Sequence, residues 1–455
     1  MCQQKGHLVV TVDLLPRDEL AALQQLKLER LLDRLETNPF YSPRLSHLAA
    51  KGRAIDKLSA IPPIDKVQIL SDIDTHPPYG SIVGVPLDEI AAVHMTAGTS
   101  GSGQETHALT LRDVEAAGLL SSFAFRWAGL RFAEPAAFNI GHSNSSGATA
   151  MHRGIQALGR TPLLIAHVGF SERLELLATI DPVGIYGTPS TINGLLHTAS
   201  ELSFDVQARL PSLRFLLTSA EPYPIGWAER MMDAWGATLF EDYGATQSAS
   251  SICASSCELG AVVDGQRGRL HFFDWSFLVE IVDPVTALQV SEGEWGELYI
   301  TTLDKEASPL LRFRTADRVR YLGTDRCMCG RSLVSIEAGS ISRLDDLLKI
   351  KGQNVWPADI EALLFSRPDV REFLGEVAIG PHGRDELYLR IALSTDVSEP
   401  AVAADVAVSI RSSFKARFNI TPQVELVAIE TLPQWKSPEQ KSRRLIDRRQ
   451  EGLLR

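Results

Sequence analysis

Positive charge is in short supply: 45 Lys and Arg against 56 Asp and Glu leave a net charge of -11. A chain of that sign is not a bulk nucleic-acid binder, and any anion it holds must sit in a local basic pocket. Long apolar runs are missing as well. No stretch of about 18 apolar residues occurs, which argues against a membrane-spanning helix. The opening "MCQQKGHLVVTVDLLPRDEL" lacks the charged leader, apolar run and small-residue cleavage site of an export signal. Cysteine is scarce, at five in the whole chain, too few for a disulfide framework in a protein this long and in keeping with a reducing, cytoplasmic setting. One more absence matters. The glycine-rich stretch "TAGTSGSG" is not closed by Gly-Lys-Ser/Thr, so it is not the common nucleotide loop.

What is there is a sizeable interior. Residues of hydrophobic type make up 44% of 455 positions, enough for two or three domains rather than one core. From Arg17 to Glu36, Leu20, Leu23, Leu28, Leu31, Leu32 and Leu35 fall on one helical stripe that "NPFY" ends. Between about residues 136 and 247, short apolar runs ("AAFNIG", "TPLLIAHV", "VGIYG", "LRFLLTS", "ATLFEDYG") alternate with segments of helical period. That alternation predicts a parallel sheet covered on both faces, with ligands held outside the carboxyl ends of its strands. After residue 260, "RLHFFDWSFLVEIVDP" and "EWGELYITTL" read as two long antiparallel strands. A boundary near Arg343 to Asp345 leaves about 110 residues for a small α+β unit. The predicted fold class is therefore α/β: a large N-terminal domain, 1–343, of parallel α/β sheets with an antiparallel β subdomain, and a small mobile C-terminal α+β domain, 344–455.

The stretch Thr96 to Gly103 packs Gly98, Gly101 and Gly103 among Thr96, Thr99, Ser100 and Ser102. Glycines let backbone N–H groups approach an anion and the hydroxyls add donors, which suits phosphate oxygens. Taken alone, such a stretch is more often a polar linker.

Serial order decides between the two. "TAGTSGSG", "GTPST", "SAEPYP", "DYGATQ", "GELYITTL…PLLRFRTAD", "CMCGRS", "SRLDDLLKIKGQNVWPADIE" and the lysine of "EQKSRRLID" follow one another along nearly the whole chain. In that order they resemble the adenylate-forming enzymes, in particular the phenylacetate-CoA ligase branch. The resemblance implies activation of a carboxylic acid with ATP and Mg2+ to an acyl-adenylate, then transfer to coenzyme A. It gives the Thr96–Gly103 loop to the β- and γ-phosphates. It sets Glu221, Asp242, Tyr243 and Gly244 around the nucleotide and acyl group, and Thr246 at the α-phosphate. Asp317 would take both ribose hydroxyls, which a carboxylate can do because it accepts two hydrogen bonds at once. The bland alternative is an ion pair of Asp317 with Arg314 or Arg318. Arg343 and Asp345 match the hinge between the domains. Lys441 takes the place of the lysine that neutralises charge building on the α-phosphate and carboxylate, with Lys436 as its competitor.

Two departures stand out. The family often has Lys-Pro where this chain has Ser102 and Gly103, and a magnesium-placing carboxylate where it has Gln247. A neutral amide is a poorer ligand for a hard dication, with Glu241 as a conceivable substitute. These departures keep a second reading open, in which the activated group goes to an amine, a carrier-protein thiol or another nucleophile instead of CoA. A third reading, a binding protein with decayed catalysis, is opposed by the retained Asp317, Asp345 and Lys441.

The acyl pocket is expected from His142, Ser143, Asn144 and Gly147, with Gly187, Pro189 and Ala220 on the following loops. The polar character of the first group points to a substituted aromatic acid. Cys257, His271, Cys327 and Cys329 offer three thiolates and an imidazole, a tetrahedral zinc set. The one-residue gap of "CMC" is shorter than usual, and the alternative is free buried thiols. The resemblance favours a structural Zn2+, with Cys253 left over. The expected partners are a small carboxylic acid, ATP and CoA or another acceptor, with neither nucleic acid nor membrane. A homodimer is compatible with the sequence, which does not fix the oligomeric state.

Overall fold

The structure is a computed structural model and describes residues 12–46, 54–95, 104–131, 134–138, 146–165, 167–248, 251–367, 369–380, 383–393, 400–432 and 444–449. The N-terminal helix runs Arg17–Leu35 and buries Leu20, Gln24, Leu28, Leu31 and Leu35 at three- and four-residue steps. The buried amide among these leucines is fully used, since Gln24 Nε2 donates to the carbonyls of Asp274 (2.8 Å) and Phe277 (3.1 Å).

An eight-stranded sheet forms the centre. Its order is Ser335–Glu337, Arg269–Phe272, Ser251–Ser256, Thr238–Ala245, Phe215–Thr218, Gly184–Gly187, Ala136–Phe138, Pro162–Leu164. The last five are mutually parallel, as the alternating pattern predicts. The first three continue it antiparallel. The expected connecting helices are present at Ser146–Ala157, Phe170–Ile180, Pro189–Glu201 and Ile225–Trp235. Gly184 is glycine because a Cβ there would lie 2.0 Å from the Phe215 ring on the neighbouring strand. The helix Leu111–Trp127 starts at a capping box between Thr110 and Asp113 and packs on Ser146–Ala157.

The reading of 269–284 as one long strand is corrected. Arg269–Phe272 belongs to the central sheet and Phe277–Val282 to a second, four-stranded antiparallel sheet with Trp295–Thr302, Phe313–Arg320 and Ser342–Arg343. The break falls at Asp274, which is fully buried, accepts from Arg17 Nη1 (2.5 Å) and Val334 N (2.9 Å), and begins a turn closed by Ser276 N to Phe273 O. Periodicity cannot register a carboxylate whose partners lie elsewhere in the chain.

Beyond Asp345 the chain forms a unit with its own core of Ile350, Ile360, Phe373, Leu389, Ile410 and Phe414. A four-stranded sheet, ordered Gln423–Leu426, Asp385–Leu393, Val370–Ile379, Leu445–Asp447, carries the helices Pro357–Phe365 and Pro400–Phe418. No helix among the described residues is long and apolar enough to cross a membrane.

Candidate active site

The polar segments after the parallel strands meet at the carboxyl ends of the central sheet. Glu221, in the loop after Phe215–Thr218, accepts from Ser190 N (3.1 Å) and Ser190 Oγ (2.6 Å) at the start of the helix that Pro189 opens. This bond clasps "SAEPYP" to "GTPST". Ala220 holds φ +70° in the same loop, a left-handed conformation costly for a residue with a Cβ. Gly187 ends its strand, and Gly147 lies in the first turn of the helix Ser146–Ala157. That helix reaches the "DYGATQ" turn through Ser146 Oγ and Thr246 Oγ1, 3.1 Å apart.

Strand alternation sends Glu241 and Tyr243 to one face of Thr238–Ala245 and Asp242 to the other. Tyr243 donates its hydroxyl to Asp317 Oδ2 at 2.6 Å. Arg343, paired in register with Asp317, donates through Nη1 to Asp317 Oδ1 (3.1 Å) and to the Thr315 carbonyl (2.7 Å). Its Nε and Nη2 hold Asp345 as a two-point pair at 3.0 and 3.1 Å. The "RTAD" and "SRLDD" motifs are thus one network. The simple ion pair of Asp317 with Arg314 is not formed, since Arg314 pairs with Glu297 at 2.8 Å.

Glu241 is not free to replace the missing carboxylate of Gln247. Its Oε2 accepts from Tyr223 Oη (2.6 Å) and Gly339 N (2.5 Å), and burial raises its pKa to about 7. Asp242 faces Tyr186 and Ser219, whose hydroxyls lie 2.7 Å apart and work to lower its pKa. Its Oδ2 has no partner among the described residues. Burial, then neighbouring Glu241, push this carboxyl well above the ordinary range.

Lys305 is the residue that sequence reasoning passed over. It is buried, and its Nζ donates to the Gln247 carbonyl at 2.8 Å. Asp113 fixes the segment that carries it, accepting from Glu306 N (2.6 Å) and Ala307 N (3.0 Å). Burial lowers the Lys305 pKa to about 8, opposed by Asp113 and Glu105. Glu105 and His107, bonded at 2.8 Å, sit at the base of the hairpin Ile90–Met95/Thr106–Thr110 that carries the glycine-rich loop. The sequence signal was available: a phosphate loop without its lysine invites a search for a cation elsewhere.

The loop residues Thr96, Gly98, Thr99, Ser100, Gly101 and Ser102, the acyl-site residues His142, Ser143 and Asn144, and Lys436 and Lys441 lie outside the described residues.

Cys257, His271, Cys327 and Cys329 converge, with one ligand atom from each within 4.8 Å of the others. Thiol hydrogen bonds pull Cys327 and Cys329 toward thiolate and push Cys257 up. Cys253 stands apart, buried, with its pKa raised to about 12 by desolvation.

A parallel sheet with polar loops at its strand ends, a four-stranded antiparallel companion and a separate C-terminal unit define an adenylate-forming enzyme fold. Residues 138–303 match the AMP-binding enzyme family and 352–449 the AMP-binding enzyme C-terminal domain. The chain is 31% identical over 394 residues to phenylacetate-coenzyme A ligase of Thermus thermophilus, covering 86% of this chain and 84% of that one. The Aromatoleum evansii enzyme of the same name is 27% identical, covering 95% of each. The fold superposes on 2-hydroxyisobutyryl-CoA ligase in its postadenylation state with a TM-score of 0.84 at 22% identity, over 97% of this chain and 92% of that one. Against that ligase in its thioesterification state the score is 0.68. The chain belongs to the adenylate-forming enzyme superfamily, in its phenylacetate-coenzyme A ligase-like branch. These homologues are acid–CoA ligases.

Proposed function

We propose that this protein is an AMP-forming acid–thiol ligase that activates a substituted aromatic acid and transfers it to coenzyme A. The observation that carries the reading is the Tyr243–Asp317–Arg343–Asp345 network, which joins the nucleotide motif to the interdomain segment. In the first half-reaction a carboxylate oxygen of the acid attacks the α-phosphorus of ATP and pyrophosphate leaves. In the second, the CoA sulfur attacks the acyl carbon, its proton goes to solvent and AMP leaves. Asp317 holds the ribose, Glu221 keeps the two strand-end loops in register, and Thr246 reaches the α-phosphate. Lys441 stabilises the charge that builds as the new P–O bond forms. Residues 344–455 act as the lid that turns at Arg343–Asp345 between the half-reactions. Bound Mg2+ supplies charge neutralisation on the phosphates. Gln247 offers it only a neutral oxygen, and buried Lys305 contributes a positive charge below the same turn.

The cysteine cluster suits a structural Zn2+: three sulfurs and one imidazole, all from protein, leave no open position for chemistry. Its role is to pin Cys257, on the loop after the strand Ser251–Ser256, to the Cys327–Cys329 turn.

Mass spectrometry of reactions holding ATP, Mg2+ and a panel of aromatic acids, with and without CoA, tests the reading. An acyl-CoA product supports it. Acyl-AMP that accumulates unchanged when CoA is added moves the assignment to a different acceptor, the direction in which Gln247 and the Ser102–Gly103 pair already lean.

A further inference from the structure

Asp242 is 3% exposed, yet its Oδ2 meets no hydrogen-bond donor among the described residues. Leaving a buried carboxyl oxygen unpaired is costly, so such atoms are rare unless something absent completes them. The surroundings say what is absent. Tyr186 is the penultimate residue of the strand Gly184–Gly187, Ser219 follows Phe215–Thr218, and Asp242 lies on the next strand over. The three side chains share one sheet face, the face on which Phe125 of the helix Leu111–Trp127 meets the Tyr186 ring at 6.1 Å. The Tyr186 and Ser219 hydroxyls bond to each other beside the Asp242 carboxyl, whose Oδ2 neither of them serves. One acceptor therefore remains idle, at the carboxyl ends of parallel strands, where sheets of this kind hold their ligands.

We infer that Tyr186, Ser219 and Asp242 form a polar floor of the acyl site that selects acids carrying a hydrogen-bond donor, a hydroxyl or amino group, remote from the reacting carboxylate. The inference rests on the reading that this crevice takes the acid. The donor delivers its proton to Asp242 Oδ2, the one unserved atom of the cluster. A methyl group in the same place brings no proton and leaves the carboxyl unpaired, and a methoxy oxygen, which only accepts, cannot serve Oδ2 in its ionised form. Sites built to bond a substrate hydroxyl or amine discriminate strongly for this reason, because rejecting the donor-less analogue requires no steric clash. The raised pKa of Asp242 agrees with an unliganded site, and donor binding draws the group toward carboxylate.

The test titrates the whole protein calorimetrically with matched sets of phenylacetates and benzoates bearing hydroxyl, amino, methyl, methoxy or no substituent at the meta or para position. Acyl-AMP formation is followed separately by mass spectrometry. At least one hydroxy or amino acid is expected to bind at least about tenfold more tightly than its methyl and methoxy counterparts. Asp242→Leu should abolish that preference, and Asp242→Asn and Tyr186→Phe should weaken it. If the leucine variant does not fold, the wild-type ratios and the two conservative variants still decide. Donor-selective binding without adenylate would sink the ligase reading and leave this floor standing. Adenylates formed and acids bound equally well with and without donors would overturn the floor and leave the ligase. Binding of none of the acids would overturn both.

Discussion

The two sides of the strand-end crevice are wired in opposite ways. At Asp317 both carboxylate oxygens are engaged, one by Tyr243 and one by Arg343, and Arg343 is itself anchored on Asp345. At Asp242, one strand residue away from Tyr243 and on the other face, one oxygen is served and one is not. The first side, which the proposed reading gives to the nucleotide, is complete without a ligand. The second is completed only by what binds. Preorganisation and selectivity are thus divided between the faces of a single strand, Thr238–Ala245.

The sharpest way to probe the nucleotide side is Lys441→Ala. Removing a charge needed only as the phosphate reacts should cut acyl-AMP formation by about 10²- to 10³-fold. The melting temperature should hold, and adenylation at the wild-type rate would reject the assignment. Next in size is Asp317→Ala. Loss of a charged hydrogen-bonding group worth about 1.5–3 kcal/mol should raise KM for ATP roughly 10- to 100-fold. The KM for the acid should hardly move, and a parallel rise in both would erase the division between the two sides. A third perturbation should touch neither. Stripping metal with a chelator, or Cys329→Ser, is expected to lower the melting temperature by about 5 °C or more. Metal analysis that finds no zinc in freshly purified protein would reject the cluster as a metal site.

The smallest effect concerns the C-terminal unit. Glu361 is buried, and desolvation raises its pKa from 4.5 to about 7, with Arg444 opposing. Between those values the folded chain holds a proton that the unfolded chain has released. Stability therefore falls as pH rises through that window, by at most about 1.4 kcal/mol per pH unit. Glu361→Gln should flatten this part of the stability profile, read by denaturant melts at pH 5, 6 and 7. An unchanged slope would mean that Glu361 is ionised throughout.

Much of the architecture is legible in the sequence because it rests on local pattern. "VGIYG" and "LRFLLTS" are short apolar runs set between helical segments, and they fold as adjacent parallel strands. The motif order leads to Asp317, Arg343 and Asp345, and their contact follows from strand pairing. What stays hidden depends on distant partners. Lys305 reads as an ordinary lysine in "LDKEAS", and the segment is held by groups from far earlier in the chain, the Asp113 carboxylate and Arg34 among them. The strand break at Asp274 depends likewise on Arg17 and Val334. Asp242 shares a motif with Tyr243, yet strand alternation turns its side chain to the opposite face, toward Tyr186 and Ser219.

The cysteine cluster has a topological consequence. His271 and Cys329 are 58 positions apart, with Nε2 and Sγ at 3.7 Å. The chain between them contains Phe277–Val282, Trp295–Thr302 and Phe313–Arg320, most of the four-stranded sheet. A shared metal would make that sheet a closed ring in a protein without disulfide bonds among its described residues. Closing a loop of that length removes about 4 kcal/mol of chain freedom from the unfolded state. Asp317 rides on the ring, so the aspartate assigned to the ribose would owe part of its fixed place to a staple made from soft sulfur ligands, open to oxidants and to competing metals.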